Sequence, residues 1–412
     1  MGGGAAVSVF DDLAGQERVV AELRRAAAVA AAVLRRGGEA GASDEASAGP
    51  AAGGRAGMTH AWLFTGPPGS GRSVAARAFA AALLCPDLGC GRCPSCHQVL
   101  AGTHADVLVV KPEGLSYGVR QTRNLVLRAA TAPFGGHWRV VLFTDADRAT
   151  EQAANALLKA IEEPAARTVW LLCAPSPDDL APTIRSRCRL VTLRIPPAAA
   201  IADMLARRDG IEPDRALAAA RAAQGHIGRA RRLATDPEAA GHRAEVLRVP
   251  SSVDGIGTAL AAAARLVAAA DAEAAAVTAE LDEPEQADLR RAFGEGSSGK
   301  GVAKATRGVA GALKDLTDRQ KSRATRLKRD ALDRALLDLV GFYRDVLAVQ
   351  FGAPVELANS DIEQEIRRVA GATTAESALR RMQAIMQCRE RIDANAHPLL
   401  AAEAMTLALL AG

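Results

Sequence analysis

The chain has 412 residues, of which 51 are basic and 47 are acidic, so its formal net charge is +4. Hydrophobic residues make up 49% and charged residues 24%, a composition that indicates a globular protein of two or three domains and excludes a disordered chain. The net charge is too small to imply a nucleic-acid-binding surface over the whole protein, so only local basic patches could support one. We find neither a membrane-length apolar run nor a targeting leader, so we expect a cytoplasmic protein without membrane contact.

An amphipathic helix and then a loop are predicted at the start of the chain. Residues 9–36 carry apolar side chains at helical spacing, including Val19, Val20 and Leu23. Residues 37–57 consist mainly of Gly, Ala, Ser and Glu, which cannot form a core. We therefore predict a flexible loop over 37–57.

A glycine-rich motif follows the apolar run at 61–65, which is a predicted strand. Its spacing is that of a phosphate-binding P-loop, in which backbone N–H groups and a helix N-terminus face phosphate oxygens. Arg72 stands where the motif has Lys, and its wide, planar guanidinium fits phosphates differently from a compact ammonium. We expect ATP binding here to be weak or vestigial. The candidate nucleotide-binding residues are Gly66, Pro67, Gly69, Ser70, Gly71, Arg72 and Ser73.

Four cysteines follow in the pattern C-x4-C-x2-C-x2-C. Four thiolates at this spacing complete a closed tetrahedral zinc site, which has no open position for catalysis. We therefore predict a structural zinc module over 85–96, and His97 beside it is expected to be a bystander. The predicted ligands are Cys85, Cys90, Cys93 and Cys96.

Strands and helices alternate between residues 61 and 195, which predicts a doubly wound parallel sheet with the P-loop at the carboxyl end of its first strand. Thr150 is the predicted N-cap of a helix that stops before Pro164. Near-continuous apolar runs mark the candidate strands, at 61–65, 106–110, 139–144, 169–173 and 190–195.

The third predicted strand ends in an acidic motif of the Walker B type. In such a motif an Asp at the strand end holds Mg²⁺, and the next acidic residue polarises the attacking water. Asp145 takes the first position, whereas Ala146 stands where the second carboxylate belongs. Asp147 lies one residue further and is a poor substitute.

Arginine occurs three times in a short loop at 183–189. A solvated basic turn is the plain interpretation of such a segment. An arginine held at a subunit edge can instead stabilise the transition state at a neighbour's γ-phosphate.

The remainder of the chain is predicted to be helical. Two or three short helices are expected over 198–236, and long helices from about 240 onward, with a Gly/Ser/Lys-rich break at 294–301. Lys and Arg alternate with Asp over 315–334, which favours a solvated helix face with salt bridges over a DNA contact.

The P-loop, the four cysteines, ANALLKAIEEP at 154–164 and RSRC at 185–188 occur in this order. Together they resemble bacterial DNA polymerase III clamp-loader subunits of the AAA+ superfamily, strongly over residues 9–235. The resemblance implies an α/β P-loop AAA+ domain over 1–197, with a parallel sheet and a zinc-binding insertion. It further implies a small helical lid domain over 198–240 and an all-α collar domain over 241–412.

Departures from the ATP-hydrolysing members make the chain similar to the delta-prime type. Arg72 replaces the P-loop Lys, Ala146 replaces the catalytic acid, and Arg229 lies one residue late for a sensor arginine after Gly225. The resemblance implies that Arg187 is an arginine finger acting in trans, with its direction fixed by Ser186 and Cys188.

The same resemblance implies a subunit of the DNA polymerase holoenzyme rather than an independent ATPase. Its partners would be the clamp-loader ATPase subunits and the delta subunit. Through the complex it would act on the sliding β clamp and, without sequence preference, on primed DNA.

Two alternatives stay open. The chain could be a catalytically active clamp-loader ATPase that tolerates Arg72, in which case the purified chain would hydrolyse ATP. It could instead be a zinc-dependent nucleic-acid-binding regulator, in which case chelation would abolish tight DNA binding.

Overall fold

The computed structural model of the chain describes the backbone of residues 8–39, 57–110, 112, 116–135, 137–292 and 302–412. The described residues form two compact units, one reaching to Arg231 and the other running from Arg232 to the C-terminus. Helix α1 (Glu17–Glu39) occupies the first three residues of the predicted loop at 37–57. Residues 40–56 of that loop lie outside the described residues.

A parallel sheet forms the centre of the first unit. The strand order is β2-β3-β4-β1-β5, so the strand that precedes the P-loop lies between β4 and β5. This arrangement confirms the predicted parallel α/β core. The five strands are β1 (Ala61–Thr65), β2 (Val107–Val110), β3 (Arg139–Phe143), β4 (Thr168–Ala174) and β5 (Arg189–Thr192).

The bounds of β1 match the predicted ones, and the other strand boundaries differ by at most one residue, except that the last strand ends three residues early. The final backbone bond at this end runs from the Leu193 N–H to the Thr65 carbonyl, at 2.7 Å. Ile195, predicted as the strand end, is 54% exposed and precedes two prolines. Since proline has no N–H to donate, the chain leaves the sheet there.

Apolar side chains of β1 point alternately to two faces of the sheet, and each face has its own core. Trp62 and Phe64 pack with Phe79 on one face, whereas Leu63 lies in the cluster of the other face with Leu157. Both faces are therefore covered, as a parallel sheet requires. The helices of this region are α2 (Arg72–Leu84), α3 (Pro94–Ala101), α4 (Val119–Ala129), α5 (Glu151–Glu162) and α6 (Pro182–Arg185).

Helix α5 begins and ends as the sequence predicts. The Thr150 hydroxyl accepts a hydrogen bond from the Ala153 N–H at 3.2 Å, and the helix stops at Glu162, two residues before Pro164. The residue before a proline is disfavoured in a helix, which explains the stop.

Three helices follow the sheet and share a separate apolar cluster that includes Ile201, Leu205, Ala220 and Ala230. They are α7 (Ala198–Asp209), α8 (Pro213–Ala222) and α9 (Ile227–Thr235).

The second unit is entirely helical over its described residues. Its core includes Leu336, Phe342, Ile385 and Met405. The predicted break at 294–301 lies outside the described residues. None of the helices in the described ranges has the length and apolarity required to cross a bilayer. The helices are α10 (Pro237–Leu247), α11 (Val249–Ser252), α12 (Ile256–Ala292), α13 (Val302–Gln350), α14 (Glu363–Ala372), α15 (Ala375–Asp393) and α16 (Pro398–Ala411).

Ion pairs join α12 to the charged segment 315–334 of α13. Arg323 donates to both Asp282 and Glu285, and the Lys328 ammonium lies 2.6 Å from a carboxylate oxygen of Asp271. Part of the segment that was predicted as a solvated face is therefore used in pairing the two long helices.

Candidate functional site

The P-loop leaves β1 through three glycines with positive φ angles. Gly66, Gly69 and Gly71 have φ values of +149°, +86° and +90°, which side-chain-bearing residues rarely adopt. Gly71 immediately precedes α2, so the N-terminus of this helix faces the loop. Pro67 and Ser73 are exposed at the two ends of the motif.

Arg72 is turned toward its own loop. One guanidinium nitrogen, Nη1, donates a hydrogen bond to the Gly66 carbonyl oxygen. Ser70 is 1% exposed, and its hydroxyl has no hydrogen-bond partner among the described residues. The Arg72 guanidinium, which replaces the lysine of a P-loop, therefore donates to the protein backbone through Nη1.

The segment between α8 and α9 packs directly on the P-loop. A Cβ placed on Gly69 would lie 2.6 Å from both Cα and Cβ of His226, a distance that real Cβ contacts do not show. The contact therefore requires glycine at position 69. The sequence marks His226 only as part of a sensor-like pattern, and no local signal predicts this contact.

Charged groups that follow β1 and β3 interact near the carboxyl ends of these strands. Asp145 follows β3 in a left-handed conformation, with φ +51°. Burial and the neighbouring Asp145 charge raise the pKa of Asp147, while Arg72 acts in the opposite direction. Burial likewise raises the pKa of Cys173 to about 12, and the charges of Arg72 and Asp145 both act on this thiol. The structure thus brings together Arg72, Asp145 and Asp147, whereas Ala146 supplies no carboxylate.

Arg187 lies between α6 and β5, where its guanidinium contacts three groups of its own unit. Nη1 donates to the Thr183 carbonyl oxygen at 2.8 Å and to the Ser186 hydroxyl at 3.2 Å. Nη2 lies 2.7 Å from a carboxylate oxygen of Glu162, the last residue of α5. The Arg187 side chain remains 38% exposed.

These contacts leave part of the guanidinium unused. Arg187 has five N–H donors, and Nε–H and one Nη2–H have no partner within the described part of the chain. Ser186 contacts the guanidinium as expected. Cys188 instead packs against the apolar cluster of the second sheet face, and burial raises its pKa to about 12.

The four predicted zinc ligands converge on one point. All four sulfur atoms lie within 4.8 Å of one another, and Cys85 Sγ lies 3.7 Å from the Sγ atoms of both Cys90 and Cys93. Tetrahedral zinc with Zn–S bonds of about 2.3 Å would separate sulfur atoms by roughly 3.8 Å. The sulfur positions therefore fit a zinc ion with four thiolate ligands.

Backbone geometry supports this cysteine cluster. Backbone N–H groups donate to Cys85 Sγ from Cys90 and to Cys93 Sγ from Cys96, each at 3.4 Å. The His97 ring bonds the Gly91 carbonyl oxygen at 3.1 Å and is not part of the cluster. Such N–H donation stabilises thiolate sulfur, as a structural metal site requires.

The comparisons with known proteins agree with the sequence motifs. Residues 54–197 match a family model described as "DNA polymerase III, delta subunit", and residues 324–400 match one described as "DNA polymerase III, delta subunit, C terminal". Over 172 residues the chain is 44% identical to DNA polymerase III subunit delta′ of Pseudomonas aeruginosa, and over 177 residues 37% identical to that of Escherichia coli. These matches span 40% and 42% of this chain and 52% and 53% of the relatives, so the chain spans about half the length of the curated relatives it matches.

More distant similarity extends to other subunits. The chain is 34% identical over 168 residues to subunit gamma/tau of Mycobacterium tuberculosis, which covers 39% of this chain and 29% of that relative. A gamma-subunit-related protein of Thermotoga maritima aligns over 85% of this chain and 94% of its own, with a TM-score of 0.39 and 16% identity. From the two family models and the delta′ relatives, the chain belongs to the family of DNA polymerase III delta-prime subunits.

Proposed function

We propose that the chain is a clamp-loader subunit that supplies Arg187 to the ATP site of a neighbouring subunit and does not hydrolyse ATP itself. The observation that carries this proposal is the state of the Arg187 guanidinium. It is partly exposed, it is held by three groups of its own unit, and two donors stay without a partner among the described residues. Two free N–H groups on one guanidinium suit the oxygens of a phosphate.

Three features in and around the chain's own P-loop support the absence of hydrolysis. Arg72 donates to the Gly66 carbonyl, His226 packs on Gly69, and Ala146 offers no carboxylate to polarise water. Any ATP bound at residues 66–73 would therefore meet a site without the catalytic base, and we propose at most weak or vestigial binding there.

Association through the helical second unit is supported by exposed apolar side chains. Leu400 and Leu407 of α16 are 65% and 37% exposed, and Ile256 and Leu260 of α12 are 66% and 38% exposed. Large exposed apolar side chains favour burial against a protein partner. We propose that the ATPase subunits and the delta subunit bind here, and that the assembly places the sliding β clamp on primed DNA through sequence-independent contacts.

Reconstitution tests the proposal. The purified chain is expected to release phosphate from ATP no faster than buffer, while a complex of ATPase and delta subunits loads clamps on primed DNA only when the chain is included. Brisk ATP turnover by the chain alone would favour an active motor subunit. Tight DNA binding by the chain alone, abolished by a zinc chelator, would favour a nucleic-acid-binding regulator.

A further inference from the structure

We propose that Glu162 is a positioning residue that fixes the direction of the Arg187 guanidinium before a neighbouring subunit binds. This inference rests on the proposed function above, and it concerns a residue whose sequence pattern predicts only the end of a helix. In this role Glu162 acts on the reaction only through Arg187 and not by contacting a nucleotide.

The contact joins two separate elements of the first unit. Glu162 ends α5, Arg187 follows α6, and the Oε1 to Nη2 distance is 2.7 Å. The Thr183 carbonyl and the Ser186 hydroxyl hold the other terminal nitrogen, Nη1. The two terminal nitrogens are therefore fixed from different sides, which sets both the position and the rotation of the guanidinium plane.

Fixing this plane matters because arginine has many rotamers. An exposed arginine without partners loses substantial side-chain entropy when it must adopt one orientation at a phosphate. Here all three partners belong to the same chain, so the ordering precedes contact with the neighbour. Preordered groups contribute more to a transition state than groups that must be ordered during the reaction.

The pair leaves the guanidinium able to act outward. The Glu162 and Arg187 side chains are 42% and 38% exposed, and exposed ion pairs are weak in water. Glu162 can therefore orient Arg187 without competing strongly with a phosphate. The neighbouring arginines have other acidic partners: Arg185 pairs with Asp178, and Arg189 pairs with Glu22.

Reconstituted complexes with Glu162 variants test the role. With Glu162→Ala, the DNA-stimulated ATP turnover at saturating ATP is expected to fall about three- to tenfold while KM for ATP stays unchanged, because orientation affects the transition state rather than substrate binding. Glu162→Gln keeps an oxygen acceptor and is expected to retain more turnover than Glu162→Ala. The matched control is Glu163→Ala, which removes the same charge from the next residue. The Glu163 side chain is exposed and has no ion pair in the described structure, so this variant is expected to match wild type.

A double-variant cycle separates this inference from the proposed function. Adding Glu162→Ala to Arg187→Ala is expected to cause no further loss, since the group to be positioned is gone. If Arg187→Ala lowers turnover but Glu162→Ala matches wild type, or if the two losses multiply, the positioning role is wrong and the proposed function stands. If Arg187→Ala has no effect, the proposed function itself fails. Melting curves of each purified variant must coincide with wild type, so that a folding defect is not scored as a positioning effect.

Discussion

A guanidinium at position 72 stands where a lysine would hold a nucleotide, and the partner it contacts is the loop to which it belongs. Its hydrogen bond to the Gly66 carbonyl oxygen gives the sequence departure a physical consequence, because this guanidinium donor is occupied by the protein backbone. The second departure, Ala146, follows Asp145 at the end of β3 and offers no polar group at all.

Arg72→Lys should separate binding from catalysis at this loop. The variant frees the Gly66 carbonyl and provides a compact ammonium, so we expect ATP affinity to rise roughly tenfold. Hydrolysis should stay at background, because Ala146 still offers no carboxylate. Equilibrium dialysis with labelled ATP measures the first quantity and phosphate release the second.

Arg123→Lys, the same exchange on the exposed surface of α4, is the control for this experiment and should leave ATP affinity unchanged. Sustained ATP hydrolysis by Arg72→Lys alone would contradict the assignment of Ala146 as the missing catalytic position.

Individual residues differ in how far the sequence alone could identify them. The candidate P-loop residues, Asp145 and the candidate cysteine ligands were predicted from local motifs, because their spacing is set by one turn or one strand end. Glu162 and His226 could not be identified, since each was singled out by its contact with a residue that is distant in the sequence. Only the folded chain brings such pairs together.

At the scale of elements, the cysteine module joins the end of α2 to the start of α3. Cys93 is the N-cap of α3, and its sulfur accepts the Cys96 N–H. Cys85 and Cys96 are buried in the core that covers one face of the sheet. The module therefore connects the candidate metal site to the packing of the sheet.

We expect about one zinc ion per chain, measured by atomic absorption. Cys93→Ser should lose zinc and lower the melting temperature of the first unit, because a structural zinc site contributes directly to folding. Cys388→Ala, at a buried thiol of the second unit, should keep its zinc. Full zinc occupancy in Cys93→Ser would show that the module is not a four-thiolate site.

Ion pairs between the two long helices α12 and α13 predict that the stability of the folded protein depends on pH. The hydrogen bond from Arg323 holds the pKa of Glu285 below its usual value, which burial only partly offsets. A lowered pKa in the folded state stabilises the protein above the ordinary pKa of about 4.3, and this stabilisation is lost as the pH falls through the lower folded-state value.

Between about pH 5 and pH 3, the melting temperature of Glu285→Gln should therefore fall less than that of wild type, by about 1–3 °C. Glu283→Gln, an exposed neighbour with no ion pair in the described structure, should follow the wild-type curve. Identical pH profiles for Glu285→Gln and wild type would exclude the pair as a source of stability.

The sequence predicted individual strands and helices better than it predicted the contacts between them. All five strands were recognised as apolar runs, and α5 was recognised from its cap and its proline, because these signals are local. The charges over 315–334 predicted a helix, but its pairing with α12 could not be predicted. Such pairing depends on side chains that are about forty residues apart, as in Arg323 and Asp282.

At the scale of the whole molecule, the chain combines an α/β unit that retains the form of a nucleotide site with a helical unit that exposes apolar side chains. Family membership follows from motifs and matches over both units. We propose that this chain, in which Ala146 stands in place of a carboxylate, completes the ATP site of another subunit in an assembly.

The measurement that tests this claim most directly is DNA-stimulated ATP turnover in complexes reconstituted with wild-type chain, Arg187→Ala or Arg185→Ala. Arg185, whose guanidinium pairs with Asp178, is the control in the same motif. The account predicts that Arg187→Ala assembles normally and lowers turnover about tenfold or more, while Arg185→Ala retains most of it. Turnover equal to wild type in a fully assembled Arg187→Ala complex would contradict the account.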